Sequence, residues 1–364
     1  MYSECHDPES VVAALPEGEL LLLLVSFTDV DAVPALCAAL RARGRRAVGG
    51  IFPGLIQGER PLTTGLIAEA LPAGFSRALA RLDGPLVEWL DPPPAVEDAR
   101  PATALVFADC NAPALSALLA DLFERYANRL TYCGGGTGFP DLRPQPTIFT
   151  EAGFLAQGAF VLVGPHKTCV EVRHGWRRLG PAFVATRTTG PLVHEFDWEP
   201  AAMFYRRAVA LRAPELTDRP FFPDINARFP LAIARAGAED VIRDPVRETE
   251  EGGVLFLSDV PENSVLHLMT AAPDDMIAAA GDAALRLSTD RSPACVLILD
   301  CGSRANVLAE HFDRELGAVA TTLTRLRGAP ACLEGALVLG EIASDGEGRI
   351  ELYNKTLVLA AFDG

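Results

Sequence analysis

The chain predicts an α+β fold in two related halves, each a mostly β core flanked by helices, on three observations. Segments 20–27, 103–108 and 295–299 are apolar strands that run through a polar turn into amphipathic helices over 30–43, 112–126 and 304–326. Runs with strand character outnumber the helical ones between these modules. The chain's 364 residues, 49% hydrophobic and 22% charged, are ordinary soluble composition with length for two or three cores.

Taken in order, residues 1–19 read as an N-terminal tail and 20–212 as the first domain. Leu20 to Val25 is the longest apolar run, far too short to span a bilayer, and acidic Glu4, Asp7 and Glu9 precede it instead of a basic leader. Strand character returns at 46–52, 65–71, 158–163, 168–174 and 182–186, and Pro92-Pro93-Pro94 with the stretch to Pro101 reads as a loop. A helix over 200–210 is followed by turn-rich residues 213–220, which place the second domain at 213–364, with strands at 254–260, 265–269, 332–339 and 350–362. Ala108-Asp109-Cys110-Asn111 and Leu299-Asp300-Cys301-Gly302 occupy the same strand-to-helix junction. Either this marks an internal duplication, or it is the common use of Asp to cap a helix.

Composition narrows the function. Lys and Arg number 32 against 48 Asp and Glu, a balance of −16 that repels nucleic acid and anionic lipid surfaces. A cytoplasmic protein is expected. The eight cysteines (5, 37, 110, 133, 169, 295, 301, 332) are scattered without CxxC or CxxH spacing, so no structural zinc is expected, and several sit in apolar patterns as small hydrophobes.

The residues that carry chemistry are polar interruptions of apolar segments. Asn354, Lys355 and Thr356 sit inside what reads as a buried strand, a costly placement unless counter-groups converge on them. Arg243, Asp300, Cys301, Ser303, Arg304 and Glu341 interrupt apolar runs in the same way, and Arg304 offers a planar fork suited to a carboxylate. Together they suggest a polar pocket of mixed sign for a zwitterionic or carboxylated small molecule. His174 and Trp176 end an apolar strand and are placed to line a cleft, or to ligate haem and stack on a small molecule. His166 and His194 have no aromatic companions in sequence. Gly135 and Gly136, in Cys133-Gly134-Gly135-Gly136-Thr137-Gly138, lack the Lys of a P-loop and read as a tight turn or ligand-wall loop. No nucleophile has an evident His and acid companion.

These motifs, in this order, resemble the FIST family of bacterial sensory proteins over most of the chain. The resemblance rests on Leu22 to Phe27, Gly134 to Gly138, His174-Gly175-Trp176 with Gly180-Pro181, Asp197 to Ala201, Arg243-Asp244-Pro245, Asp300-Cys301 with Ser303-Arg304, Gly340-Glu341-Ile342 and Tyr353 to Thr356. It implies a non-catalytic sensor of amino acids or other small molecules, signalling to a separate histidine kinase, cyclic-dinucleotide enzyme or chemoreceptor. Some relatives resemble haem proteins that sense nitric oxide, so the alternative is a haem sensor with His174 as axial ligand. A further alternative is an enzyme using Cys301. Val48 to Gly54 departs from the glycine-, cysteine- and threonine-rich turn of many relatives, which puts the identity of the ligand in doubt. No kinase, cyclase or receptor segment is fused within these residues.

Overall fold

A computed structural model describes residues 1–5, 7–96, 102–287, 295–330, 332–344 and 349–362. The end of the expected loop, 97–101, lies outside them. The fold is α+β, with sheet-rich parts flanked by helices as expected. Each of the three strand–turn–helix segments begins a larger unit, and the units share one topology.

Unit I runs from strand Leu21–Ser26 through helix Val33–Ala42 to the parallel strand Ala47–Phe52, a hairpin (Gly54–Gln57, Arg60–Leu62), and return strand Leu66–Ala70 against the first. Unit II repeats this with Ala102–Asp109, helix Leu115–Tyr126, Leu130–Thr137, hairpin Ile148–Thr150 and Gly153–Leu155, and Gly158–Gly164. Unit III follows with Cys295–Cys301, helices Gly302–Leu308 and Phe312–Arg327, Cys332–Val338, hairpin Glu341–Ser344 and Ile350–Tyr353, and Leu357–Phe362. The single helix expected over 304–326 is thus broken, with Ala309 at φ 47° in the break.

The hairpins are exchanged in a ring. Unit I's pairs with Cys332–Val338 of unit III, unit II's with Ala47–Phe52 of unit I, and unit III's with Leu130–Thr137 of unit II. The three sheets therefore interlock across residue 212. They also bury both faces of the first strands. Leu22, Leu24, Leu105, Phe107 and Leu299 point into one shared core, while Leu21, Leu23 and Val25 meet Val33, Leu36 and Leu40 of the covering helix. Val106 packs on Leu118 and Leu122 in unit II, and Ile298 on Met276, Leu316 and Val319 in unit III. Burial on both faces is why these strands read as continuous apolar runs.

Between units II and III, residues from Arg177 to Thr270 form an eight-stranded sheet that packs on helix Ala201–Ala210. Helix Pro273–Arg286 then leads back to unit III, packed against Phe312–Arg327. Cys295 and Cys332, register partners on parallel strands, form a disulfide that the sequence pattern did not suggest. Among the described residues, no helix is long and apolar enough to cross a membrane.

Candidate functional site

Asn354, Lys355 and Thr356 form the kink where the chain leaves Ile350–Tyr353 in one sheet and enters Leu357–Phe362 in the next. They were expected inside a strand. A chain changing sheets must interrupt its ladder, and Lys355 does so at φ 50°, a region that costs most residues free energy. The expected counter-groups are present. Lys355, 1% exposed, places Nζ 3.2 Å from Asp244 Oδ1 and donates to Ser303 Oγ at 2.6 Å, with the Trp176 ring centroid 6.0 Å away. Glu341 Oε2 accepts from Thr356 N–H at 3.2 Å, Thr356 Oγ1 donates to the Asn354 carbonyl, and Asn354 Oδ1 accepts from Ser258 Oγ.

Arg304, completely buried, is the hub of this network. Its Nε donates to Glu315 Oε1 at 2.9 Å, and Nη2 donates to the same oxygen and, at 2.9 Å, to the Met276 carbonyl. Nη1 donates to the carbonyls of His174 and Lys355. Asp300 Oδ1 lies 3.7 Å from Arg304 Nε, but neither Asp300 carboxyl oxygen has a well-formed hydrogen bond among the described residues. Burial, reinforced by Glu315, therefore holds the Asp300 carboxyl well above its ordinary pKa, and burial with Asp300 does the same to Glu341. Burial also raises Asp244, with Lys355 opposing it.

This network is packed, and the open space lies beside it. A cleft of about 650 Å³ is walled by the strand ends at Arg173 to Arg178, the turn at Gly237 to Asp240, and the face of Pro273–Arg286 that carries Asp275 and Asp282. Arg178 grips Asp240 through Nε and Nη2, each at 2.6 Å, Arg177 lies 2.9 Å from Asp275, and Arg173 lies 3.4 Å from Asp282. His174 takes the Trp176 N–H on Nδ1 at 2.8 Å and places Nε2 3.0 Å from Glu239. Gly175 lets the walls approach: at φ 73°, its Cβ would stand 2.7 Å from the Asp275 carbonyl oxygen. Arg304 clamps the same walls from beneath, through the carbonyls of His174 and Met276.

Residues 19–199 match the model of the FIST N domain, and residues 201–344 that of the FIST C domain. The chain belongs to the FIST family. FIST domains are sensory domains of signal transduction. No curated protein matches the chain. The cleft thus takes one wall from the FIST N segment, at Arg173 to Arg178, and the others from the FIST C segment.

Other sequence candidates find different places. Arg243 is buried and spent on structure, donating to the carbonyls of Asp259 and Leu352 and to Glu351. Gly135 and Gly136 lie in strand Leu130–Thr137 instead of a ligand-wall loop. A Cβ on Gly136 would stand 2.2 Å from the Leu339 carbonyl oxygen, so these glycines admit the hairpin contributed by unit III of the FIST C segment. Asp197 is bound locally, accepting from Val184 N–H, and Trp198 is exposed. Cys301 is buried, and burial with Glu341 pushes its thiol up, away from the thiolate that a nucleophile needs. The charged cleft does not fit haem either, whose porphyrin faces need apolar cover, and both His174 nitrogens face polar groups of the FIST scaffold.

Sequence reasoning missed Glu315 and Glu239, and met Asp244 only within the Arg243-Asp244-Pro245 motif, without its role beside Lys355. Glu315 was legible: Phe312, Leu316, Val319 and Leu323 define the buried stripe of their helix, and Glu315 sits on it. The partners of Asp244 come from elements far apart in the chain, which no local pattern reveals.

Proposed function

We propose that this FIST protein is a cytoplasmic, non-catalytic sensor whose recognition site is the cleft between its FIST N and FIST C segments. Its ligand is an amino acid or another small carboxylated molecule. Its output passes to a separate signalling protein such as a histidine kinase, a cyclic-dinucleotide enzyme or a chemoreceptor. The observation that carries this reading is the balance of charge in the cleft. Arg173, Arg177, Arg178 and Arg286 stand among Glu239, Asp240, Asp275 and Asp282, in a chain whose net charge is −16. Such a lining offers a carboxylate and an ammonium separate partners, whereas the surrounding surface repels anions. Exchange of an internal ion pair for a ligand pair at Arg178 or Glu239 moves a strand end against a helix start, and Arg304 relays that movement inward to Glu315 and the Lys355 kink.

Thermal unfolding across a panel of amino acids and small carboxylates tests this. A ligand present at a hundred times its Kd adds about 2.7 kcal/mol, a clear rise in Tm. Arg178→Ala and Glu239→Gln should remain folded, Arg178→Ala at a lower starting Tm because Asp240 loses its partner, and both should lose most of the rise measured from their own ligand-free Tm. If no member of the panel shifts Tm, or if both variants respond as the parent does, the reading fails.

A further inference from the structure

The opposite end of the three-unit core holds a second, chemically different pocket. The polar network gathers where the first strands end, at Asp300 and Cys301. Near where those strands begin, Leu22, Leu24, Leu105 and Leu297, drawn from all three units, wall an apolar pocket of about 260 Å³ with Phe75 and Phe362. The Glu69 side chain, 46% exposed, and that of Glu334, 13% exposed, both border the pocket. His166, also in the lining, is stacked on Phe75 with ring centroids 5.4 Å apart and lies 3.2 Å from the Ala73 carbonyl.

The carboxylate pair already holds an ammonium. The Met1 amino group lies 3.1 Å from Glu69 Oε1 and 3.2 Å from Glu334 Oε2. Gln57 also donates to Glu334, at 3.3 Å, so this carboxylate is fixed in place on strand Cys332–Val338. Two carboxylates that seat an ammonium at the edge of an apolar chamber are the complement of a molecule with an apolar body and a cationic head.

We propose that this pocket binds a small amphipathic amine, its apolar chain or ring between the first strands of the three units and its ammonium taking the place of the Met1 amino group at Glu69 and Glu334. The site is separate from the cleft, and neither depends on the other.

The test is calorimetric titration of the full chain with n-octylamine and, as the neutral match, n-octanol. The amine should bind with a defined stoichiometry and at least about tenfold more tightly than the alcohol. Glu334→Gln should weaken the amine about tenfold and leave the alcohol unchanged, while Leu297→Phe, which fills the pocket from a half-buried position, should weaken both. Circular dichroism establishes that each variant is folded. Equal affinity for amine and alcohol, no saturable amine binding, or amine binding untouched by both variants would each overturn the proposal.

Discussion

Units II and III pass from first strand to helix through the same three steps, Ala-Asp-Cys in one and Leu-Asp-Cys in the other, and use the aspartate in opposite ways. Asp109 serves its own turn: Oδ1 accepts the Asn111 N–H at 3.0 Å, and Thr147 adds a second bond. Asp300 has lost that local role. Its turn continues straight into Gly302–Leu308, and it is enclosed with Arg304, Glu315 and Glu341. One aspartate organises a turn and the other belongs to a charge network, though the junctions read alike. A repeated framework lets one copy keep the structural solution while another exchanges local hydrogen bonds for distant charges.

The strongest way to break the comparison is at Arg304, whose position in unit II is occupied by Pro113. Arg304→Met should leave Glu315 as an uncompensated buried carboxylate and strip donors from the carbonyls of His174, Met276 and Lys355. Removing one partner of a buried pair costs about 3–5 kcal/mol, which denaturant unfolding would read directly. A loss below about 1 kcal/mol would mean that the network carries no structural weight. Glycines give the next contrast. Gly136→Ala in unit II drives a Cβ to 2.2 Å from backbone and should cost about 1–3 kcal/mol, whereas Gly302→Ala meets nothing nearer than 3.7 Å and should stay within about 0.5 kcal/mol of the parent.

How much of this was legible depends on how local the cause is. The first strands and their helices were readable because burial on two faces and a helical stripe each leave a pattern within one segment. The paired Asp-Cys junctions left a repeat and a shared capping habit equally open, and the ring of exchanged hairpins left no sign at all, since strand pairing between distant segments leaves no periodic trace. Residues 350–362 read as one strand because Tyr353 and Leu357 are both apolar and buried, while the sheet change between them is a tertiary event. Lys355, Arg304 and Asp300 were recognised as expensive, and they do converge. That they fill their own space follows from packing that composition does not encode, whereas the open cleft lies at the strand end where His174 and Trp176 were expected to line one.

A smaller effect separates the two aspartates themselves. Asp109→Ala removes hydrogen bonds that organise its turn, a loss of about 1 kcal/mol. Asp300→Asn removes a carboxyl that burial already disfavours as an anion, so near neutral pH it should cost less than Asp109→Ala or stabilise the protein. Urea midpoints at constant slope compare the two. If Asp300→Asn is the more damaging, then Asp300 is a charge that the fold requires, and the two junctions differ less than their geometry shows.

The last contrast is in pH dependence, where network and cleft carry opposite signs. Burial raises the Glu341 pKa in the folded protein, so between the ordinary carboxylate value and the raised one the native state holds a proton that the unfolded chain has released. Its contribution to stability is therefore fully present at acid pH and declines as pH rises through that window. Glu341→Gln keeps an acceptor for the Thr356 N–H and cannot titrate, so the variant should gain on the parent steadily as pH rises above the ordinary carboxylate range. Asp240 runs the other way. Burial works against its charge, but the Arg178 fork and the Arg235 N–H overcome it and depress the pKa. Its stabilisation is present above its ordinary value and is lost as pH falls toward the depressed one, so Asp240→Asn should be damaging at neutral pH and harmless in acid. Unfolding free energies at a series of pH values would show two difference curves of opposite slope. Parallel curves would place Glu341 and Asp240 in similar surroundings and dissolve the distinction between a filled network and an open cleft.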